Sequence, residues 1–215
     1  MTVKKLFWED PYLVEAVAKV MSVNGDSITL DQTIAFAFSG GQQSDSGTIA
    51  GCEIVKADKV DKDIIYTIDA AHCLKIGEEV QVKIDWDKRY KLMKLHFAAE
   101  LVLELVYQGY DHPEKIGANI TEDKARVDFC WNGSIASVFP ELESKLKKMI
   151  DEDLPIRSEF KDKNKEERFW EIEGFALVPC GGTHLRKTGE IGPLLLKRNN
   201  IGKGKERIEI YLKPV

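Results

Sequence analysis

At Trp86 the spacing of apolar residues changes from two to nearly four, and this switch limits what the chain can fold into. Ahead of it lie short runs with β-branched content: Glu15–Val23, Ser27–Asp31, Ile34–Phe38, Thr48–Ala57, Ile64–Asp69 and Glu79–Ile84. Turn residues such as Asn24-Gly25-Asp26 separate them, a pattern that predicts a small barrel or sandwich. Beyond the switch, Asp85–Tyr107 contains neither Gly nor Pro. Leu92, His96, Ala99 and Leu103 recur on or near one helical face, so a long, mostly buried helix is expected, closed by Gly109. Further strands are expected at Gly117–Ile120, Ala125–Cys130, Leu154–Phe160, Glu171–Val178, Ile191–Lys197 and Arg207–Leu212. A second helix over Phe139–Asp151 would bury Leu142, Leu146, Met149 and Ile150. The expected fold class is α+β: a small β-barrel-like domain over residues 1–85, then an α+β domain over 86–215 with an antiparallel sheet and the long helix.

Composition narrows the function classes. No apolar run approaches the roughly 20 residues needed to cross a bilayer, so no membrane partner is expected. The opening MTVKKLFWEDPYL lacks the apolar core of a secretory signal. Cysteines at 52, 73, 130 and 180 are widely spaced and form no CxxC pair, which argues against a disulfide framework and fits a reducing, cytoplasmic setting. The net charge of -5 is unlike that of a nonspecific nucleic-acid binder, but it is unevenly spread. Residues 185–215 carry eight basic and three acidic side chains, a local excess that can steer a polyanion on an acidic protein.

Chemistry concentrates at two i,i+4 pairs. His96 and Glu100 stand one turn apart on the long helix and share a face. Cys180 and His184 flank Gly181-Gly182-Thr183, a turn able to fold both side chains toward one point. One thiolate, two imidazoles and the Glu100 carboxylate make a tetrahedral zinc set. Alternatively His96, Cys180 and His184 hold Zn2+, the fourth position stays open, and Glu100 serves as base or orienter. A third element is the small polar loop Ser39–Gly47, where Gly40 and Gly41 allow close backbone approach to a ligand and Gln42, Gln43, Ser44 and Asp45 offer donors and acceptors. His72 and His112 read as structural and exposed, respectively.

Taken together these residues resemble the editing domain of alanyl-tRNA synthetase and its free-standing relatives, the AlaX alanyl-tRNA editing proteins of medium length. That family has a GGGQPxDxG loop, an HxxxH helix and a CxxxH turn. Here they correspond to Ser39-Gly40-Gly41-Gln42-Gln43-Ser44-Asp45-Ser46-Gly47, to the helix bearing His96 and Glu100, and to Cys180-Gly181-Gly182-Thr183-His184. The segment Lys203-Gly204-Lys205-Glu206-Arg207 is similar to the family's basic C-terminal stretch. Two departures stand out: Glu100 replaces the second helix histidine, and Ser39 and Gln43 replace a glycine and the proline of the loop. The resemblance implies a zinc-dependent editing domain over 86–215 that hydrolyses, in trans, the ester of serine or glycine mischarged on tRNA(Ala). It implies catalytic roles for Glu100 and Gln42. It further implies contacts to substrate or tRNA from Gly40, Gly41, Gln42, Ser44, Asp45 and Thr183, and phosphate contacts from Lys203, Lys205 and Arg207. Two other readings fit the residues alone: a metal-dependent hydrolase of another small ester or amide, and a noncatalytic RNA-binding module.

Overall fold

The computed structural model describes residues 2–69 and 72–214. The chain divides into two compact units, Met1–Ser39 with Gln43–Tyr90, and Gly40–Gln42 with Lys91–Val215. Strands of the first are β1 (Lys4–Lys5), β2 (Glu15–Asn24), β3 (Ser27–Leu30), β4 (Gln32–Thr33), β5 (Gly47–Ile49), β6 (Cys52–Val60), β7 (Asp63–Ile68) and β8 (Glu79–Ile84). Period two is clean where one face is buried: Ile64, Tyr66 and Ile68 point inward from β7, and Val80, Val82 and Ile84 from β8. Antiparallel pairing runs β2-β3-β7-β6-β5-β8 and returns to β2. Gly47 is required where β5 meets β8: φ is +156°, and a Cβ there would stand 2.0 Å from the Lys83 carbonyl oxygen.

The segment Ile34–Phe38, expected as a strand, forms none. Ile34, Ala35, Phe36 and Ala37 are buried as expected of an apolar run. Side chains, however, take much of the hydrogen bonding that a ladder would supply. The Thr33 hydroxyl accepts from the Ala35 N–H, the Asp45 carboxylate from the Phe36 N–H, and the Ser44 hydroxyl from the Phe38 N–H. Tyr66 donates to the Ala35 carbonyl and Arg89 to that of Ile34. Asp45 and Arg89 form a fully buried ion pair beneath this segment.

Helix α1 (Trp86–Gly109) starts where Asp85 caps it, its carboxylate accepting from the Lys88 N–H at 3.1 Å. Beyond Lys91 it is apolar nearly all round, and Leu92, Met93, Phe97, Ala98, Leu101, Val102 and Val106 are buried. The second unit continues with β9 (Lys115–Ile120), β10 (Ala125–Cys130), α2 (Phe139–Asp151), β11 (Arg157–Asp162), β12 (Glu167–Ile172), β13 (Ala176–Pro179), β14 (Leu194–Gly202) and β15 (Lys205–Leu212). Leu142, Leu146 and Met149 form the buried face of α2. Two antiparallel sheets result, β14-β15-β10-β9 and β11-β12-β13. The single strand expected over Glu171–Val178 is instead the hairpin of β12 and β13, because Gly174 turns the chain with φ +73°. Phe97 of α1 packs edge-on against Trp170 of β12, with ring centroids 5.1 Å apart. Among the described residues no helix is long and apolar enough to cross a membrane.

Candidate functional site

The site is assembled from α1, the hairpin β12-β13 and the turn that follows it. His96 projects from a turn of α1 whose other residues are core, so its imidazole is 4% exposed. Cys180 begins the turn after β13, and its N–H donates to the Arg168 carbonyl oxygen of β12 at 3.0 Å. The turn then brings His184 back toward the sulfur. Nε2 of His96 and Nε2 of His184 each lie 3.3 Å from Cys180 Sγ. All three ligand atoms lie within 4.8 Å of one another. Gly182 cannot carry a side chain in this arrangement, since a Cβ would stand 2.4 Å from His96 Cε1 and 2.9 Å from Gln42 Oε1.

This geometry suits a metal ion. With bonds of about 2.0 Å to nitrogen and 2.3 Å to sulfur, tetrahedral ligands stand roughly 3.5 Å apart. Ser158 of β11 lies 2.8 Å from His184 Nδ1, which leaves Nε2 directed at the sulfur and supplies the outer partner usual for a metal-bound imidazole. His96 Nδ1 is buried with no such partner among the described residues. Burial by itself would lower the pKa of His96, but the Cys180 sulfur and the Glu100 carboxylate outweigh it and push it up to about 10. The point where the donors converge therefore favours positive charge. Burial, reinforced by the charge on His96, holds His184 well below the ordinary imidazole value and keeps it neutral.

Glu100 touches two of the three donors: Oε1 is 3.4 Å from His96 Nε2 and 3.5 Å from Cys180 Sγ. It is not part of the mutually close cluster of His96, Cys180 and His184. Its Oε2 accepts from the Trp170 indole N–H at 3.2 Å. Burial would raise its pKa, yet His96, then His184 and Trp170, bring it down to about 2, so the carboxylate is ionised at neutral pH.

The remaining expected residues separate into distinct settings. Gly40 and Gly41 adopt φ of +60° and +87°, and Gly41 passes so close to β9 that a Cβ would stand 2.8 Å from the Ala118 carbonyl oxygen. Gln42 is fully buried and both ends of its amide are spent on Thr183: Nε2 donates to the hydroxyl at 2.8 Å, and Oε1 accepts from the Thr183 N–H at 3.3 Å. Ser44 and Asp45 belong to the first unit and are engaged there with Phe38, Phe36 and Arg89. Lys203 and Lys205 are exposed at the β14–β15 hairpin, whereas Arg207 grips Asp128 through Nε at 2.7 Å and Nη2 at 3.0 Å. Ser158, Arg168 and Trp170 were not anticipated. Arg168 is buried, its guanidinium 3.3 Å from the Gly182 carbonyl oxygen and 5.2 Å from the Phe160 ring centroid. The alternation Arg168-Trp170-Ile172 was the available signal, and starting that strand at Glu171 hid it.

Comparison with known proteins gives the chain's relatives. Residues 168–209 match the family described as the threonyl and alanyl tRNA synthetase second additional domain. Over 213 residues, 97% of each chain, the sequence is 34% identical to the alanyl-tRNA editing protein AlaX-M of Pyrococcus horikoshii. The chain belongs to the AlaX-M family. The AlaX-M of Methanosarcina acetivorans is 34% identical over 96% of this chain and 98% of its own. The alanine–tRNA ligase of Ignicoccus hospitalis is 33% identical over 96% of this chain but only 25% of the ligase. An AlaX-M chain thus corresponds to one segment of a much longer synthetase.

Proposed function

We propose that the protein is an aminoacyl-tRNA deacylase that removes a wrong amino acid, serine or glycine, from tRNA(Ala) in trans. The observation that carries this reading is the convergence of Cys180 and His184 on His96, in a chain that matches AlaX-M proteins end to end. His96, Cys180 and His184 are the residues that would hold zinc, and a zinc ion there would supply a Lewis acid beside the Glu100 carboxylate.

The chain's own groups carry the rest. An aminoacyl ester is already activated, so hydrolysis chiefly needs a placed water and a group to take its proton. Glu100, held from behind by Trp170 and with Oε1 beside His96 Nε2 and Cys180 Sγ, is placed to orient that water and take its proton as the water oxygen bonds to the carbonyl carbon. The carbon–oxygen bond to the terminal ribose then breaks, and the proton passes to the ribose oxygen. Gln42 and Thr183 lock the turn that carries Cys180 and His184, which keeps these distances fixed. A site that hydrogen-bonds the serine hydroxyl rejects alanine, because alanine leaves those polar groups unpaired.

The test is deacylation of Ser-tRNA(Ala) and Gly-tRNA(Ala) beside Ala-tRNA(Ala), with zinc measured on the same sample. Rapid loss of serine or glycine with alanine spared is expected. Zinc-loaded protein that leaves both mischarged esters intact refutes the proposal and points to another ester or to a binding module.

A further inference from the structure

The outer face of the β14-β15-β10-β9 sheet collects basic side chains from sequence positions far apart. The register sets Arg126 opposite Glu209, Asp128 opposite Arg207, and Lys197 opposite Glu209. Side chains two residues apart share a face, so Lys205, Arg207, Glu209 and Tyr211 of β15 point the same way as these partners. Two carboxylates lie beneath the cations and are almost covered by them. Asp128 is gripped by Arg207 and by Arg126, and its side chain is 7% exposed against 22% and 30% for the two arginines. Glu209 accepts from Lys124 Nζ at 2.7 Å, with exposures of 12% and 38%. Lys124 and Lys197 also flank the Tyr211 ring, 5.7 and 4.9 Å from its centroid. One further acid, Glu114, reaches the edge of this face beside Cys130.

We propose that this sheet face is the surface that takes the phosphate backbone of the tRNA. The inference rests on the editing reading above and gives it a docking surface on the second unit. Five cations, Lys124, Arg126, Lys197, Lys205 and Arg207, face three carboxylates, so the face is net positive on a chain whose total charge is -5. A guanidinium has five N–H donors, and the grip on Asp128 uses only part of each arginine. The buried carboxylates hold the arginine forks in place, which lowers the ordering cost when phosphate binds. An acidic protein segment is the competing occupant.

The experiment uses the full chain and uncharged tRNA(Ala). Affinity is measured from 50 to 300 mM salt for the wild type, for Lys197→Gln with Lys205→Gln, and for Lys197→Arg with Lys205→Arg. Each lost phosphate contact should reduce the slope of log K against log salt by about 0.7–0.9. The glutamine pair is therefore expected to bind more weakly with a slope shallower by about 1.5, and the arginine pair to bind as wild type. Unchanged affinity and slope in the glutamine pair overturn the proposal, as does an arginine pair that binds no better than the glutamine pair. Deacylation of Ser-tRNA(Ala) by the zinc-loaded wild type at one fixed salt concentration tests the editing reading separately. Failure there overturns the deacylase and leaves the salt slope to judge the surface.

Discussion

Gly182→Ala probes the site without replacing a donor residue. Its φ lies outside the left-handed region, so alanine meets no backbone penalty and the effect is steric. The added carbon would stand 2.4 Å from His96 Cε1 and 2.8 Å from Nε2, where ordinary contact begins at 3.4 Å. His96 must therefore withdraw by about 1 Å, or the turn must swing away from it. Neither movement is free, because α1 is packed on every side here and Gln42 Oε1 blocks a second direction at 2.9 Å. Overpacking of this kind costs about 1–3 kcal/mol. A shift of about 1 Å in a catalytic constellation costs on the order of 100-fold in rate. Urea unfolding of the metal-free protein reads the first number, deacylation of Ser-tRNA(Ala) reads the second, and elemental analysis reads metal content. Gly109→Ala, at a glycine with nothing within 4 Å, is the control and should leave all three near wild type. Wild-type stability and zinc content in Gly182→Ala would falsify the argument that this glycine exists to admit the imidazole.

Two further outcomes are expected. Asp45→Ala strands the Arg89 guanidinium in a fully buried position and should cost about 3–5 kcal/mol, read as a lower urea midpoint; a change under 1 kcal/mol would mean the pair is dispensable. In chelator, stability should fall on both sides of about pH 6.5. Below 6.5 the unfolded chain protonates His184 while burial keeps the native one neutral, so acid destabilises. Above 6.5 the contribution of His96, whose native pKa is about 10, is lost as pH rises. Glu100 adds to the acid loss only below 4.5, toward its native value of about 2. Urea midpoints at pH 5, 6.5 and 9 give the curve; equal midpoints at 5 and 6.5 contradict a neutral buried His184.

Much of the site was legible because its signals are local. The i,i+4 pair on α1 and the two glycines between Cys180 and His184 are spacing facts, and spacing is fixed by bond geometry whatever the rest of the chain does. Helix α2 and strands β8 and β10 likewise follow from patterns complete within a dozen residues. The loop Ser39–Gly47 shows the opposite case. Its sequence offered a row of polar groups, but Gln42 is buried on Thr183, 141 residues away, and Asp45 on Arg89, 44 away. The basic tail shows the same limit of local reading: Arg207 is paired with Asp128 across the sheet and Arg198 with Glu206, while Lys124 and Arg126, outside the tail, join its face.

By itself, then, the sequence determined the two long helices, most of the strands and which side chains can converge as metal donors, since periodicity and turn chemistry act over a few residues. Only the tertiary structure decided which polar groups remain available. A buried carboxylate or amide must find a partner wherever the fold brings one, and that pairing is set by strand register and packing between residues that no local pattern connects.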